Sequence, residues 1–534
     1  MADRTRTLLL FAGAALISGV TMLEAIQPND EGLMLQAAAR IADGQVPYRD
    51  FWWFYPPGQP YLLAGLWELF GPSLLPWRVL RVLCDAGVAV LVWALARRAG
   101  ASQRLALAAW LAAALAMAYP SGPHPFPPTL AMCLGALLLM ERRPALAGAL
   151  AGLAAFWRIE FAAYLALGIL LAYALRPTAG SEGVRARARP ALGFTSAAAA
   201  VAAVLYVPVV AAAGLSDSFD LLVRYPVEDF GDYQSLPFPL DYDGPLNTSS
   251  IGGFLADSAE PLLLFYLPLV LVLGLAGSLV ALGLGIERSR WWQAVPACVF
   301  AIGMAHYQVT RPDAFHTAPL AVMASVLSTW AITRVREKTT EKRANSHSPG
   351  EKRALHRVVP LAASVLAGTA LAYAVLEGAD RRWLELRADR AELRLPAADG
   401  VRVSTSAREP LERAVEYVRR NTRPGEPIYV ATRRSDLVTA GAPLLYVLAD
   451  RPNPTRYDIA APGVITTAPV QREIVRELER SDTRLVVRWT DPVSAAREPN
   501  KAGESSGVRL LDAHLARAYR RVARFGSYVM LERR

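Results

Sequence analysis

Charge is scarce in this sequence. Of its 534 residues, 19% are Asp, Glu, Lys or Arg and 53% are hydrophobic, whereas a soluble chain usually carries about a quarter charged. The apolar residues are gathered into long runs separated by arginine-rich gaps, which excludes an ordinary soluble globule and indicates a polytopic α-helical membrane protein. Cysteine is scarcer still. Cys84, Cys133 and Cys298 all lie inside apolar runs, so no disulfide framework and no thiolate metal site is expected. Also missing are the phosphate-binding G-x-x-x-x-G-K-[ST], a dinucleotide G-x-G-x-x-G after a strand, and H-E-x-x-H. A soluble nucleotide-sugar mechanism therefore has no support, and nothing points to nucleic acid as a partner.

The runs 7–25, 79–97, 104–119, 126–141, 144–157, 160–176, 191–213, 259–286, 292–309, 316–335 and 358–377 read as about eleven transmembrane helices. The first follows MADRTR without a cleavage site, so it reads as a retained helix. The stretch 59–71 is too short and interrupted to cross, and reads as interfacial. Placing MADRTR inside puts the basic loops 96–104, 141–144, 176–190, 287–290 and 334–357 on the cytoplasmic face. The opposite face receives the first loop and segments 120–128, 157–160, 214–258 and 310–316. The tail emerges there too, with 29 basic and 21 acidic residues from Asp380 onward; long domains cross largely regardless of charge. Its surface either lies against anionic headgroups or is simply arginine-solvated. Helical ERAVEYVRR (412–420) and APVQREIVRELER (468–480) precede strands EPIYVAT (426–432) and RLVVRWT (484–490), and SYVMLE (527–532) closes as a strand. The expected organisation is a transmembrane domain, 1–378, and an extracytoplasmic α/β domain, 379–534.

Ionisable side chains collect at one membrane edge. A transporter or flippase of lipid-linked saccharides would place them near the bilayer midplane on broken helices, so an enzyme is the favoured reading and the transporter the alternative. Asp85, one turn beyond Arg81, is the exception and fits an i,i+4 ion pair. The first outer loop is the densest stretch: NDEGLMLQAAARIADGQVPYRDFWWFYPPGQPYLL, 29–63. Asp30 and Glu31 cannot both face one way. One can act on substrate while the other binds a cation, caps a helix or pairs with arginine; Asp30 before GLMLQAAARIA also reads as an N-cap. Trp52, Trp53, Phe54 and Tyr55 read as an interfacial belt or as flat surfaces for sugar rings and prenyl chains.

The acid pair after the first span, the following G..PYRDF, and PPGQPYL entering a juxtamembrane helix resemble the GT-C superfamily. Within it the chain looks like the family 39/83-type glycosyltransferases, which include protein O-mannosyltransferases and aminoarabinose transferases. The resemblance covers residues 1–335, and RPNPTRYD (451–458) is similar to the outer domain of bacterial relatives. It implies inverting transfer of a sugar from a polyprenyl-phosphate donor to a hydroxyl on a glycan, lipid or protein, at the outer face of the plasma membrane. The family's first-loop acid matches Asp30, with Glu31 beside it, as the catalytic pair. Its later outer-loop motifs match Arg158 and Glu160 in FWRIE, and Arg311, Asp313 and His316 in RPDAFH, as substrate-binding residues. Aminoarabinose-type relatives carry Lys before the double proline, where this chain has Tyr55. They also carry an acid after the third span, where it offers Ser121 and His124.

In this reading Asp30 is the general base. Arg158 and Arg311 bind the carrier phosphate, or else snorkel at helix ends. Asp30, Glu31 and Asp313 could offer oxygen ligands to a divalent cation. His316 is better placed for function than His124, because Arg311 and Asp313 lie just before it. The acidic, aromatic loop 223–245 covers the donor site or is only an ordered outer loop.

Overall fold

Leucine- and alanine-rich runs fold as helices where the hydropathy pattern requires them. The computed structural model describes residues 2–117, 124–176, 183–238, 266–274, 276, 292, 294–344 and 355–534. In chain order come α1 (Ala2–Gly19), α2 (Asp30–Ala42), α3 (Gly58–Phe70), α4 (Leu75–Arg98), α5 (Gln103–Met117), α6 (Phe126–Leu139), α7 (Pro144–Ala155), α8 (Ile159–Leu175) and α9 (Gly183–Ala213). Short helical turns over 215–234 follow, then α10 (Val295–Thr310), α11 (Ala314–Ala344) and α12 (Leu355–Arg387). The expected span 259–286 lies mostly outside the described residues. Helix α1 ends at Gly19 rather than at residue 25, and α12 continues unbroken to Arg387.

Among the described residues, Leu75–Arg98, Arg187–Ala213 and Phe315–Thr333 are long and apolar enough to cross a bilayer, and α5 to α8 are shorter apolar helices. Large apolar side chains face outward from them: Leu8, Leu9 and Leu16 on α1, Leu167, Leu171 and Leu175 on α8, Val204 and Val207 on α9. A water-facing surface would not carry so much contiguous apolar area; a lipid-facing one does. Between helices the contacts are made by small residues. Gly148 and Gly152, one helical turn apart on α7, press on α9 so closely that an added Cβ would sit 2.0 Å from the Phe194 carbonyl oxygen and 2.3 Å from that of Ala198. Where lipid offers no hydrophobic drive between helices, such close backbone approach supplies the association.

Beyond α12 the chain forms a hairpin, β1 (Arg390–Glu392) with β2 (Arg402–Ser404), and then an α/β unit. This comprises α13 (Thr405–Asn421), β3 (Ile428–Ala431), α14 (Leu444–Ala449), α15 (Ala468–Arg480), β4 (Leu485–Trp489), α16 (Leu510–Ala518), β5 (Tyr519–Phe525) and β6 (Tyr528–Arg533). The sheet order is β3-β4-β6-β5, with β3 and β4 parallel and the other pairs antiparallel.

This unit is built into the first loop. Leu23–Ala25 pair with β2, the Ala25 and Arg402 amides donating to the Arg402 and Leu23 carbonyls at 2.8 Å each. Buried Glu24 bridges Arg390 at 3.2 Å and Arg402 at 3.1 Å. Buried Arg40, near the end of α2, donates to Asp458 Oδ1 at 3.0 Å and to the Thr455 carbonyl. The Trp52 amide donates to the Arg456 carbonyl at 2.8 Å. RPNPTRYD is therefore the segment that grips α2 and the loop after it. One hydrophobic core runs from Leu33 through Trp77 into the C-terminal sheet, and the bundle has its own.

Gly32 sets the closest approach. An added Cβ would lie 2.0 Å from the Leu444 backbone nitrogen, whose N–H donates to the Pro28 carbonyl at 3.1 Å. Gly32→Ala should force α2 and α14 apart and cost about 1–3 kcal/mol, read as a lower thermal midpoint in detergent. An unchanged midpoint would mean that this contact is looser than described.

Candidate active site

The two acids that open α2 part company at once. Asn29 stands at the N-cap position and Asp30 is the first helical residue, with no side-chain cap bond, so Asp30 is not the helix cap. Glu31 turns into the protein. It is fully buried and grips Arg78 of α4: Nε to Oε1 3.0 Å, Nη2 to Oε2 3.0 Å. The rest of that guanidinium donates to the Met22 and Ala25 carbonyls at 2.7 and 2.8 Å. Of the alternatives open for the acid pair, Glu31 takes the arginine one. Both its oxygens are engaged, so it holds the loop in place.

Asp30 points the other way. Its Oδ1 accepts from Asn29 Nδ2 at 2.9 Å, while Asn29 Oδ1 accepts from the Gly441 amide of the C-terminal unit at 3.0 Å. Burial raises its carboxyl above the ordinary range, against the Asn29 hydrogen bond, the positive charge of Arg311 and the nearby His316 ring. Those two residues belong to the α10–α11 turn, so segments 30 and 311–316 share one electrostatic neighbourhood. Tyr55 joins them. Burial raises its phenol too, with Arg158 opposing and Asp30 reinforcing the shift. Its loop is held by Tyr48, whose backbone sits in the left-handed region at φ +73° and whose hydroxyl donates to the Tyr55 carbonyl at 2.8 Å. A bulky residue adopts that conformation only where the surroundings impose it.

Arg158 comes from the turn between α7 and α8. Gly58 locks this turn against the start of α3, donating its amide to the Phe156 carbonyl at 2.8 Å, and Gln59 accepts from the Trp157 indole at 2.9 Å. The guanidinium pairs with Glu160 at 2.5 Å and lies 5.0 Å over the Tyr307 ring and 5.6 Å from that of Phe161. Its Nε is buried without a hydrogen-bond partner. Burial works against its charge, yet Glu160 keeps it firmly protonated. A desolvated donor left over beside an aromatic face is a place for an anion.

Arg311 is differently placed. It faces Glu498 of the C-terminal unit, Nη2 to Oε1 at 2.9 Å and Nη1 to Oε2 at 3.3 Å, and lies 3.5 Å from Asp313. Asp313 accepts from both the ring Nδ1 and the backbone N–H of His316, at 2.7 and 2.8 Å. Burial works against the Asp313 charge, but the His316 bonds and Arg311 hold its carboxyl below the usual range. His124, which packs on Phe315 with ring centroids 3.9 Å apart, is driven to its neutral form by burial and by the nearby Arg81, His316 and Arg158. Trp52, Phe54 and Tyr55 form an aromatic wall with Tyr225 and Phe230 of the 223–245 loop, at centroid spacings of 4.0 to 6.3 Å.

Arg311, Asp313 and His316 thus lie in the electrostatic neighbourhood of Asp30, and Tyr55 neighbours both Asp30 and Arg158, while Glu31 turns away. Sequence reading missed Arg78, Tyr307 and Glu498. Arg78 opens an apolar helix as the first of two arginines one turn apart, a signal for a buried partner. Glu498 left none, lying in an unremarkable polar loop. No group of three or more His, Cys, Asp or Glu side chains is arranged to hold a metal ion among the described residues. With Glu31 engaged, Asp30 and Asp313 are the carboxylates left to face a cation.

The two acids should respond oppositely to amidation. Glu31→Gln leaves the Arg78 charge buried without its counter-charge and should cost about 3–5 kcal/mol. Asp30→Asn removes a desolvated charge and should leave the thermal midpoint unchanged or higher. Equal losses in the two variants would contradict the division of roles.

No family model and no curated protein matches the chain. Among solved structures, the crystal structure of ArnT from Cupriavidus metallidurans, bound to undecaprenyl phosphate, is similar over 98% of this chain and 97% of its own. The TM-score is 0.51 and the identity 16%, so the likeness is one of fold. Over nearly its whole length the chain shares the fold of that protein.

Proposed function

We propose that this protein transfers a sugar from a polyprenyl-phosphate donor to an acceptor hydroxyl at the outer face of the plasma membrane. The observation that carries the proposal is a desolvated carboxylate, Asp30, under the charge of Arg311 and sharing its neighbour Tyr55 with Arg158, which keeps a buried N–H unsatisfied. The similarly folded ArnT is bound to undecaprenyl phosphate, a ligand of that class. Asp30 accepts the acceptor hydroxyl's proton as its oxygen bonds to the anomeric carbon. The bond from that carbon to the phosphate oxygen breaks, and the charge released onto the lipid phosphate is taken by Arg158. Attack opposite the leaving group inverts the configuration. Glu160 keeps Arg158 charged and oriented, and the aromatic wall from Trp52 to Phe230 offers flat faces to sugar or isoprenoid. The acceptor is a glycan, a lipid or a protein, and Asp30 with Asp313 could offer oxygens to a divalent cation.

Asp30→Asn should abolish transfer with binding of a sugar-free polyprenyl phosphate retained. Because burial raises the Asp30 carboxyl and the base must be ionised, the acid limb of kcat/KM should fall above pH ~4, the ordinary carboxylate range. Arg158→Lys keeps the charge but loses the fork, and should weaken that binding roughly tenfold. Wild-type turnover in the Asn variant would remove Asp30 as base, and wild-type binding in the Lys variant would remove Arg158 as anchor.

The same reading carries about eleven spans, an inside N-terminus and the C-terminal unit outside. A cysteine introduced at Ser505, which is exposed, should react with an impermeant maleimide on intact cells, and one at Ser346 should not. The reverse pattern would invert the topology.

A further inference from the structure

The C-terminal unit reaches Arg311 through a turn, 498–501, that is separate from its other anchoring contacts. The unit is already fastened by Arg40 with Asp458, by Glu24 with Arg390 and Arg402, and by the Gly32 contact. The turn makes a separate set of bonds. Glu498 fills both arms of the Arg311 fork. Asn500 Nδ2 donates to Glu498 Oε2 at 2.9 Å and to the Ser235 carbonyl at 3.1 Å. Lys501 reaches Asp232 twice, Nζ to Oδ2 at 2.6 Å and amide to carbonyl at 2.9 Å. Arg311 Nη1 also donates to the Gln234 carbonyl at 2.7 Å, so the 232–235 backbone is held between the turn and the arginine. Two residues before Asp232, Phe230 stands in the aromatic wall.

A carboxylate set across a guanidinium uses the same parallel N–H pair that a phosphate uses. Here that carboxylate is supplied by the protein itself. The pair is about a quarter exposed on each side, at 24% and 23%, so its net worth is small and a phosphate can displace it. We propose that Glu498 is an intramolecular stand-in for the donor phosphate at Arg311, and that the 498–501 turn is a latch. It closes the site while no phosphate is present and is released when one binds, freeing the 232–235 segment and with it one side of the aromatic wall. Arg158 holds the phosphate throughout; Arg311 joins only after Glu498 leaves. The identity of the anion rests on the proposed function, whereas the latch itself does not.

The test pairs a binding measurement with amide hydrogen exchange, on the full chain in detergent. Undecaprenyl phosphate is titrated into wild type, Glu498→Gln and Lys501→Ala. Removing the competing carboxylate should tighten binding roughly three- to tenfold, and Lys501→Ala should act in the same direction but less. Exchange at the Lys501 amide should quicken in Glu498→Gln, and in wild type once the lipid is saturating. If wild type binds and Glu498→Gln binds no better, Glu498 only positions Arg311 and the latch is wrong. If no protein binds the lipid, wild type included, the donor reading fails. Lys501 exchange then decides the latch alone: acceleration in Glu498→Gln upholds it, and an unchanged rate overturns it.

Discussion

The buried Glu31–Arg78 pair is the constraint on which the site depends. It joins the start of α2 to the start of α4 and, through the two carbonyls Arg78 also serves, to the chain leaving α1. Three separate segments are thereby fixed at one point of the membrane edge. With Glu31 pulled inward, Asp30 can only face away from it, toward Arg311 and Tyr55. An ion pair this deep contributes little net stability over an apolar substitute. Its value lies in direction, since it decides which of two neighbouring acids is presented.

Charge around Asp30 is balanced rather than accumulated. Arg158 is answered by Glu160, Arg311 by Glu498 and Asp313, and His316 by Asp313. Such a neighbourhood can hold a carboxylate out of water without neutralising it by a direct salt bridge, which would lower its basicity. The same balance means that any anion arriving at these arginines must displace or share a carboxylate. Arg158 differs from the others in keeping a buried donor to spare.

Hydropathy gave the bundle because lipid enforces it: α3 to α8 and α10 begin and end within a few residues of the apolar runs. Charge clustering on one face pointed to Asp30, Arg158, Arg311, Asp313 and His316 as candidates, and the aromatic stretch to Tyr55, because ionisable groups cannot be strewn through hydrocarbon without partners. The legibility fails where long-range pairing takes over. The strand formed by Leu23–Ala25 against β2 is set by a partner nearly 380 residues away, and no local pattern announces it. Strands β3, β4 and β6 were readable from β-branched and aromatic alternation. Strand β5, YRRVARF, carries arginines on its open face and reads as loop until β6 is laid beside it. Glu31 shows the complementary limit, since an adjacent acid pair states that the two must differ but not which turns inward.

The embrace of α2 by residues 441–458 also bears on how the protein is made. Asn29 and its partner Gly441 are 412 residues apart. At roughly 5–20 residues per second of synthesis, about 20–80 s pass between them. During that interval Arg40 has no Asp458 and Asn29 no Gly441, while Glu31 already has Arg78 to close upon. The first loop therefore matures in two stages, a local one set by the membrane helices and a late one that waits for the last third of the chain. Until the second is complete, the surroundings of Asp30 lack the contacts that the C-terminal unit supplies.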